Sequence, residues 1–242
     1  GICVVGTGTE VGKTVISAAL CSLLRKYGLK AGYFKPVLSG ALSEKGRLVP
    51  GDTRFVCQAA NIRESWEKLT PCMYENSLSP HLAARLEKRP VNPEKILRAF
   101  QELGKNYDFL VVEAAGGLGI PLNDEGLLMV DLLNMFRLPG LLVAPAGLGG
   151  INQALLSAEY AKNRGFPLVG ILLNFGNGDF LEEDNALQIA KLTKLPVYGP
   201  FPRLVSPEAA PLGDTLEPLL SSAELLFLLQ GEHTRASKEV CK

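Results

Sequence analysis

The sequence has no excess of charge of either sign, no paired-cysteine motif and no long apolar run. Its 25 Lys and Arg residues balance 25 Asp and Glu residues, so no overall field would attract nucleic acid or an anionic membrane, and we expect neither as a partner. The five cysteines are odd in number and never spaced C-x-x-C, which argues against a disulfide framework and a zinc site and favours a reducing compartment. No apolar run approaches the roughly 18 residues of a membrane helix, and no leader segment is recognisable. The protein is therefore expected to be globular and cytoplasmic.

What the sequence does contain is typical of one folded domain. Hydrophobic residues make up 47% of the 242 residues and charged residues 21%, which excludes the composition of a disordered chain. No linker rich in proline, glycine or serine divides the chain, so we expect a single domain over residues 1–230. An apolar stretch predicts a terminal helix over Ala223–Leu229, and the polar segment Gly231–Lys242 is expected to be a disordered tail.

Short apolar runs alternate with amphipathic stretches along the chain. The runs are apolar at every position, as in parallel strands that are buried on both faces, so the pattern predicts an α/β fold with a doubly wound, mostly parallel sheet. The predicted strands are Ile2–Val5, Ala31–Lys35, Phe109–Glu113, Gly140–Ala144, Leu168–Asn174 and Val197–Phe201. Helical spacing and capping residues predict a crossover helix that ends near Lys26, and further helices over Pro93–Leu103, Gln153–Asn163 and Leu181–Lys191.

A glycine-rich segment with the sequence GTGTEVGKT, residues Gly6–Thr14, follows the first predicted strand and opens into the crossover helix. This context places backbone N–H groups and the positive end of the helix dipole around one phosphate-sized volume. Lys13 can reach the β- and γ-phosphates of a nucleotide, and the Thr14 hydroxyl can ligate Mg²⁺. The spacing differs from the usual phosphate loop by one extra residue after the first glycine. A glycine-rich turn with an incidental lysine is the alternative, and the strand-to-helix context favours nucleotide binding.

Polar side chains stand at the predicted ends of two other strands, where ligands of open parallel sheets bind. Lys35 ends the second strand, with Ser39 four residues later, and could face bound phosphates; a solvated surface lysine is the alternative. Glu113 ends the third strand, where nucleotide enzymes keep an acidic Mg²⁺ ligand, and a helix-capping or solvent-facing carboxylate is equally open. Asp52 could cap the helix that follows it or join Thr14 and Glu113 around a metal ion.

A second glycine-rich turn, Gly147–Asn152, lies between the fourth strand and a predicted helix. The free N–H groups of that helix N-terminus could hold an anion such as a carboxylate, and a plain connecting loop is an equally open reading. One of the two histidines, His81, has no identifiable partner for a metal site or a catalytic triad, and we assign it no chemistry.

Five short segments, taken in chain order, resemble the dethiobiotin synthetase family of ATP-dependent ligases. GTGTEVGKT matches that family's phosphate loop with its extra residue, and KPVLSG matches the motif at the second strand. SPH, VEAAGG followed by PL, and LGGIN resemble three further family motifs, and the matches span about residues 2 to 208. Two residues depart from the family pattern. Ala114 stands where glycine is usual, which would crowd a backbone that needs positive φ, and Phe175 stands where a polar residue is common.

The resemblance implies a P-loop nucleoside triphosphate hydrolase-like fold and an ATP- and Mg²⁺-dependent reaction. In that reaction 7,8-diaminononanoate is carboxylated with CO₂ and a ureido ring closes, giving dethiobiotin, ADP and phosphate. The resemblance also implies a homodimer whose substrate site lies at the subunit interface.

The same resemblance implies roles for individual residues. Lys35 and Lys13 would be catalytic, and Thr14, Asp52 and Glu113 would bind Mg²⁺. The diamino-acid substrate would be bound by Ser39, Gly149, Gly150, Ile151 and Asn152. ATP would be bound by Glu10, Val11, Gly12, Lys13, Thr14, Val15, Asp52, Glu113, Gly116, Asn174, Pro202, Arg203, Leu204 and Glu208.

Two other classes of protein carry a similar loop. A related amidoligase-type synthetase normally has a glutaminase domain with a nucleophilic cysteine, and no cysteine here stands in a nucleophile-elbow context. A non-enzymatic nucleotide switch of the chromosome-partitioning type carries a second lysine early in its loop, where this chain has only Thr7, Gly8 and Thr9. Both classes stay alternatives to the ligase.

Overall fold

A computed structural model describes residues 1–221 and 224–225 of the chain. Its strands, in chain order, are β1 (Ile2–Gly6), β2 (Ala31–Phe34), β3 (Val37–Ser39), β4 (Leu42–Glu44), β5 (Arg47–Val49), β6 (Cys72–Tyr74), β7 (Phe109–Gly117), β8 (Gly140–Pro145), β9 (Leu168–Gly176) and β10 (Val197–Pro202). Its α-helices are α1 (Lys13–Lys26), α2 (Gly51–Ala59), α3 (Trp66–Leu69), α4 (Pro80–Leu86), α5 (Pro93–Gly104), α6 (Met129–Met135), α7 (Gly150–Asn163), α8 (Phe180–Thr193) and α9 (Leu212–Leu216). Two 3₁₀ turns, Pro207–Ala209 and Glu217–Leu219, flank α9.

The central sheet contains six parallel strands in the order β10-β9-β8-β1-β7-β2. The first strand lies in the middle, because the chain first fills the β7–β2 side and then the β8–β9–β10 side. Such a reversal of direction opens a crevice at the carboxyl ends of the strands, where α/β proteins bind ligands. The predicted α/β class and parallel sheet are confirmed.

Helices flank this sheet and complete its core. The helix α1 packs on β7, α2 and α9, while α7 packs on α8, β8 and β9. Five of the strands are buried along nearly their whole length because both faces are covered, which explains why their sequences do not alternate; β10, at the edge, is buried only at Tyr198 and Phe201. Three aromatic rings join β2 to α5 and to the end of α6, with centroids 4.5 to 6.0 Å apart: Phe34, Phe100 and Phe136.

Several boundaries differ from the sequence prediction. The strands β7 and β9 run past Glu113 and Asn174 to Gly117 and Gly176, and α7 begins at Gly150, three residues before the predicted start. The predicted tail Gly231–Lys242, and the predicted terminal helix Ala223–Leu229 apart from residues 224–225, lie outside the described residues. The domain bounds 1–230 therefore stay a prediction. In the described part of the chain, no helix has the length and apolar character needed to cross a membrane.

Candidate active site

The phosphate loop joins β1 to α1 and is shaped by a glycine that no other residue can replace without strain. Gly12 is the N-cap of α1 and has φ +90°, in the left-handed region that favours glycine. A Cβ on Gly12 would also overlap the side-chain amide of Asn174. That amide is 2% exposed, and its Nδ2 donates a hydrogen bond of 2.9 Å to the Val11 carbonyl. The loop is thus fixed to the end of β9, two strands away from β1.

Lys13, the first residue of α1, points into this loop. Its side chain is buried, and its Nζ donates to the Gly8 carbonyl at 2.6 Å. Burial lowers the pKa of Lys13 to about 8; nearby Glu113 and Asp52 act against this shift, and Lys35 adds to it. Among the described residues, Lys13 forms no ion pair with a carboxylate. Its ammonium group can therefore bind an anion that enters the loop.

A buried carboxylate, Glu113, is the centre of a second group of side chains. Its Oε1 accepts hydrogen bonds from the Thr14 hydroxyl at 2.8 Å and from Lys35 Nζ at 2.7 Å. Its Oε2 accepts from the Tyr33 hydroxyl at 2.7 Å. Lys35 also pairs closely with Asp52. Thr14, Asp52 and Glu113, which were predicted to share a metal ion, therefore lie in one group with Lys35, and their binding of a metal stays a prediction.

The strand register explains the convergence. The strand β7 lies between β1 and β2, with Val4 beside Glu113 and Phe34 beside Val112, so the residues that follow β2 reach Glu113. Glu113 is fully buried and Lys35 is 5% exposed, so the readings as a solvent-facing carboxylate and a solvated lysine were wrong. The reading of Asp52 as a helix cap was also wrong, since Asp52 lies in the first turn of α2 with Pro50 at the N-cap and no capping bond from a side chain.

Burial and charge act in opposite directions on two groups of this cluster. Burial alone would lower the pKa of Lys35, but the carboxylates of Glu113 and Asp52 outweigh burial and raise it. Burial raises the pKa of Tyr33 well above its usual value, and the negative charge of Glu113 raises it further. Lys35 is therefore a cation and Tyr33 a neutral hydrogen-bond donor near neutral pH.

A cavity of about 680 Å³ opens over both groups. Its wall combines Thr9, Glu10 and residues 12–15 of the phosphate loop and start of α1, the cluster around Glu113, and Ser39 at the end of β3. The segment Ser77–Pro80 closes one side, and Ser77 lies against Gly40, where a Cβ would come within 3.1 Å of the Ser77 hydroxyl. The predicted substrate residue Ser39 thus shares one cavity with both lysines.

The second glycine-rich turn does not line this cavity. Gly149 caps α7 with φ +86°, and a Cβ on Gly150 would overlap the Pro145 carbonyl, so this helix N-terminus is also built on glycine. A hydrogen bond of 3.1 Å from the Thr7 hydroxyl to Gln153 Oε1 connects the two glycine-rich turns. The predicted substrate residues Gly149–Asn152 therefore lie beside the phosphate loop but outside the cavity that Lys35 and Ser39 share.

The remaining residues predicted to bind ATP lie near the end of β9, at the end of β10 and in the segment that follows β10. Phe175 has φ +65° and lines the cavity, and the Arg203 guanidinium lies 4.7 Å from the centre of its ring. Pro202, Leu204 and Glu208 do not line the cavity. That these residues and Asn174 bind ATP stays a prediction, and the Asn174 amide nitrogen is already bonded to the phosphate loop.

The two departures from the family pattern have different consequences. Ala114 is buried within β7 and is not among the residues with positive φ, so the expected crowding does not arise there. Gly116, two residues later, has φ +64° and has the side chain of Ile120 where a Cβ would be. Phe175 does adopt positive φ, which is costly for a bulky side chain and is typical of functional sites.

Sequence reasoning missed the buried polar residues of α8 that hydrogen-bond to the loops that follow β8 and β9. Asn185 of α8 is 4% exposed, and its Nδ2 donates to the Ala146 carbonyl at 2.8 Å and the Gly147 carbonyl at 3.2 Å. Glu182, one turn earlier, is also buried and accepts from the Asn177 N–H at 2.9 Å. The signal in the sequence was weak: two polar residues at helical spacing on the face of α8 that turns toward the core.

Comparison with known proteins gives close sequence relatives. A family model described as an AAA domain matches residues 1–209. The ATP-dependent dethiobiotin synthetase BioD of Clostridium novyi is 39% identical over 208 residues, which cover 84% of this chain and 87% of the relative. The enzyme of the same name from Clostridium acetobutylicum is 41% identical over 205 residues, covering 84% and 85%. That from Clostridium perfringens is 36% identical over 222 residues, covering 90% and 97%.

Solved structures show the same fold at much lower identity. The septum site-determining protein MinD of Pyrococcus horikoshii, complexed with Mg-ADP, has a TM-score of 0.55 at 13% identity and covers 98% of this chain and 96% of its own. A ParA family ATPase from Chlorobium tepidum has a TM-score of 0.50 at 16% identity, covering 94% and 96%. The likeness places this chain in the P-loop nucleoside triphosphate hydrolase-like fold.

Proposed function

The chain belongs to the ATP-dependent dethiobiotin synthetase family, and we propose that its phosphate loop, Lys35 and a bound Mg²⁺ carry out the reaction of that family in the cavity described above. The reaction is a C–N bond-forming ligation with ATP as co-substrate. It carboxylates 7,8-diaminononanoate with CO₂, closes the ureido ring, and gives dethiobiotin, ADP and phosphate.

The chemistry consists of one addition and two displacements, which need positioning and neutralisation of charge. One amine of the substrate attacks CO₂ and loses a proton, which gives a carbamate. A carbamate oxygen then attacks the γ-phosphorus of ATP, and ADP leaves. The second amine attacks the carbon of the resulting mixed anhydride, loses a proton and displaces phosphate. Negative charge builds up on the phosphoryl oxygens, and cations fixed in a partly dry site stabilise it.

The lysines are suited to this task by their burial and position. Lys13 lies in the phosphate loop and forms no ion pair with a carboxylate of the described residues, so we assign it to the transferred phosphate. Lys35 lies in the same cavity, held between Asp52 and Glu113, and we assign it to the carbamate and the γ-phosphate. The loop residues from Glu10 to Val15 line the cavity or lie beside it, and their N–H groups supply the remaining donors.

The oxygen groups beside Lys35 fit a Mg²⁺ ion. Mg²⁺ takes oxygen ligands and in nucleotide enzymes uses one or two carboxylates together with phosphate oxygens and water. Thr14 is bonded to Glu113, and Asp52 is joined to Glu113 through Lys35, so these three side chains would hold the ion. When bound, Mg²⁺ supplies neutralising charge for the β- and γ-phosphates.

We assign the carboxylate end of the substrate to the N-terminus of α7. At the start of this helix of 14 residues, the Gly150 N–H donates to the Gly147 carbonyl, which leaves the N–H groups of Ile151 and Asn152 and the positive end of the dipole for an anion. Since these residues do not line the cavity of their own chain, we propose that they complete the cavity of a second subunit in a homodimer. In support, apolar side chains around this turn are exposed, with Leu148 at 91% and Leu156 at 65%.

A cytoplasmic location agrees with this proposal. The cysteines of the described part, Cys3, Cys21, Cys57 and Cys72, are all free thiols, as is usual in a reducing compartment.

The meeting of Lys13, Lys35 and Glu113 in one cavity carries the proposal. The experiment measures ADP release from Mg-ATP with the diamine and bicarbonate together and with each left out. We expect ADP release that requires both and equals the dethiobiotin formed. Equal ADP release without the diamine would instead indicate a nucleotide switch, and a requirement for glutamine would indicate an amidoligase.

A further inference from the structure

We propose that Tyr33 is a positioning residue that holds one oxygen of Glu113, so that Glu113 offers only its other oxygen to the metal and the site selects Mg²⁺ over Ca²⁺. This inference rests on the Mg²⁺ site proposed above and assigns that site a selectivity. Tyr33 does not line the cavity, and its hydroxyl donates to Glu113, so its role is exerted through Glu113.

The two oxygens of Glu113 have separate partners. Oε1 faces the cavity side of the cluster, where it accepts from Thr14 at 2.8 Å and Lys35 at 2.7 Å. Oε2 accepts from the Tyr33 hydroxyl at 2.7 Å, and within the described residues this hydroxyl is its donor. The carboxylate is therefore held in one orientation, with one oxygen toward the ligands and the other turned away.

Burial makes this division strict. Glu113 and Tyr33 are both fully buried, so water does not compete for Oε2. The parallel register of β2 and β7 sets Tyr33 beside Val111, two residues before Glu113, where the two strands are paired. Without the hydroxyl, Oε2 would lose its donor in a dry environment, and the nearest compensating charge would be the cation at Oε1.

The denticity of a carboxylate distinguishes the two cations. Mg²⁺ is small, demands a nearly regular octahedron and accepts one oxygen from each carboxylate, whereas Ca²⁺ takes six to eight ligands and readily uses both oxygens of one carboxylate. A carboxylate restricted to one oxygen therefore favours Mg²⁺. A carboxylate free to turn would remove part of that preference.

The test compares the full-length wild type with Tyr33→Phe, which removes only the hydroxyl. The matched control is Tyr74→Phe, because Tyr74 is also buried, and its hydroxyl donates at 2.8 Å to the carbonyl of Arg89, outside the cavity. With a non-hydrolysable ATP analogue bound, Mn²⁺ is displaced by Mg²⁺ or Ca²⁺, and the Mn²⁺ released is measured by electron paramagnetic resonance. These titrations give the dissociation constants for Mg²⁺ and Ca²⁺. This readout does not depend on turnover.

We expect Tyr33→Phe to raise the Mg²⁺ dissociation constant by about tenfold or more, as is usual when the partner of a metal ligand is lost, and to change the Ca²⁺ constant less. The ratio of the two constants should shift toward Ca²⁺ in Tyr33→Phe and stay at the wild-type value in Tyr74→Phe. Equal weakening of both cations, or an unchanged ratio, would overturn the selectivity role. A wild type that binds neither cation with the nucleotide would instead refute the metal site itself.

A second measurement on the wild type covers the case in which Tyr33→Phe does not fold. A crystal structure with Mg²⁺ and the same ATP analogue should show the metal on Oε1 alone, with Tyr33 still bonded to Oε2. Coordination through both oxygens, or a Tyr33 hydroxyl bonded elsewhere, would contradict the inference.

Discussion

Two helix N-termini of this molecule share one backbone design and differ in what surrounds them. Both α1 and α7 follow neighbouring parallel strands, and both are capped by a glycine in the left-handed region, Gly12 at φ +90° and Gly149 at φ +86°. Each loop is also fixed by a buried asparagine amide that donates to its backbone carbonyls, Asn174 for the first and Asn185 for the second. The backbone alone therefore does not decide which anion is bound.

The side chains make the difference. The first N-terminus has two lysines and three carboxylates within one cavity, whereas the second has no lysine or arginine in Gly149–Asn152. A triphosphate with its metal needs cations of matching charge, while a single carboxylate can be held by N–H groups and a helix dipole. The four predictions that follow test this division of tasks.

The largest effect should come from removing the cation that distinguishes the first N-terminus. Lys13→Ala should lower ring closure and the coupled ATP hydrolysis by a hundredfold or more, since loss of one charged contact in a dry site costs on the order of 3 kcal/mol. Steady-state assays of dethiobiotin and ADP measure it, with circular dichroism as the check on folding. Lys162→Ala on the exposed part of α7 is the control and should be neutral. Near-normal ring closure by Lys13→Ala would mean that the two N-termini do not differ in this way.

Replacing one glycine at each N-terminus by alanine should impair the binding of a different substrate in each case. Gly12→Ala should raise the KM for ATP and Gly150→Ala the KM for the diamine, because the new Cβ overlaps Asn174 in one case and the Pro145 carbonyl in the other. Overpacking of this kind costs about 2 kcal/mol, roughly a thirtyfold effect. Gly147→Ala meets open space and serves as the control. If both variants changed the same KM, the two N-termini would not serve different ligands.

The affinity for the nucleotide should depend on pH through Lys13. Burial lowers the pKa of Lys13 to about 8, so its ammonium group is charged below pH 8 and loses its proton above pH 8. Phosphate prefers the charged form, and the dissociation constant of a non-hydrolysable ATP analogue should rise about tenfold per pH unit above 8. Isothermal titration between pH 7 and 9.5 measures the slope. Lys13→Arg, which stays charged, should give a flat profile, and the same slope in that variant would assign the titration to another group.

The smallest effect should appear at the second N-terminus. A helix N-terminus contributes roughly 0.3–1 kcal/mol to an exposed anion, so the methyl ester of the diamine should have a kcat/KM about two- to fivefold below that of the free acid. Specificity constants for the acid, the ester and a shortened diamino acid provide the measurement. If the ester had the same kcat/KM as the acid, the second N-terminus would not bind the carboxylate of the substrate.

Much of this arrangement could be predicted from the sequence because it depends on local patterns. The strands are continuous apolar runs, the phosphate loop has a recognisable sequence between strand and helix, and Lys35 and Glu113 stand at or near the ends of such runs. Their convergence follows once parallel strands are assumed, because the carboxyl ends of those strands meet at one edge of the sheet.

What could not be predicted depends on pairings between distant residues. The Asn185 bonds to the second turn and the Tyr33 bond to Glu113 require the packing of α8 and the register of β2, neither of which leaves a periodic signal. The three-residue strands β3 and β6 are too short for any pattern to be read. The burial of Glu113 inside β7 was missed because the two alanines and two glycines that follow it continue the strand.

The bond between Asn174 and the phosphate loop has a further consequence for how the site forms during folding. Asn174 and Val11 are 163 residues apart in sequence, and Thr14 and Glu113 are 99 apart, so closing these contacts requires nearly the whole sheet to be assembled. Contacts of such long sequence separation are slow to form because the entropy of loop closure must be overcome first. Affinity for phosphate should therefore appear only when the last strands of the sheet have formed. Nucleotide binding is thus a reporter of complete folding, and a chain that stops before β9 should not bind the nucleotide.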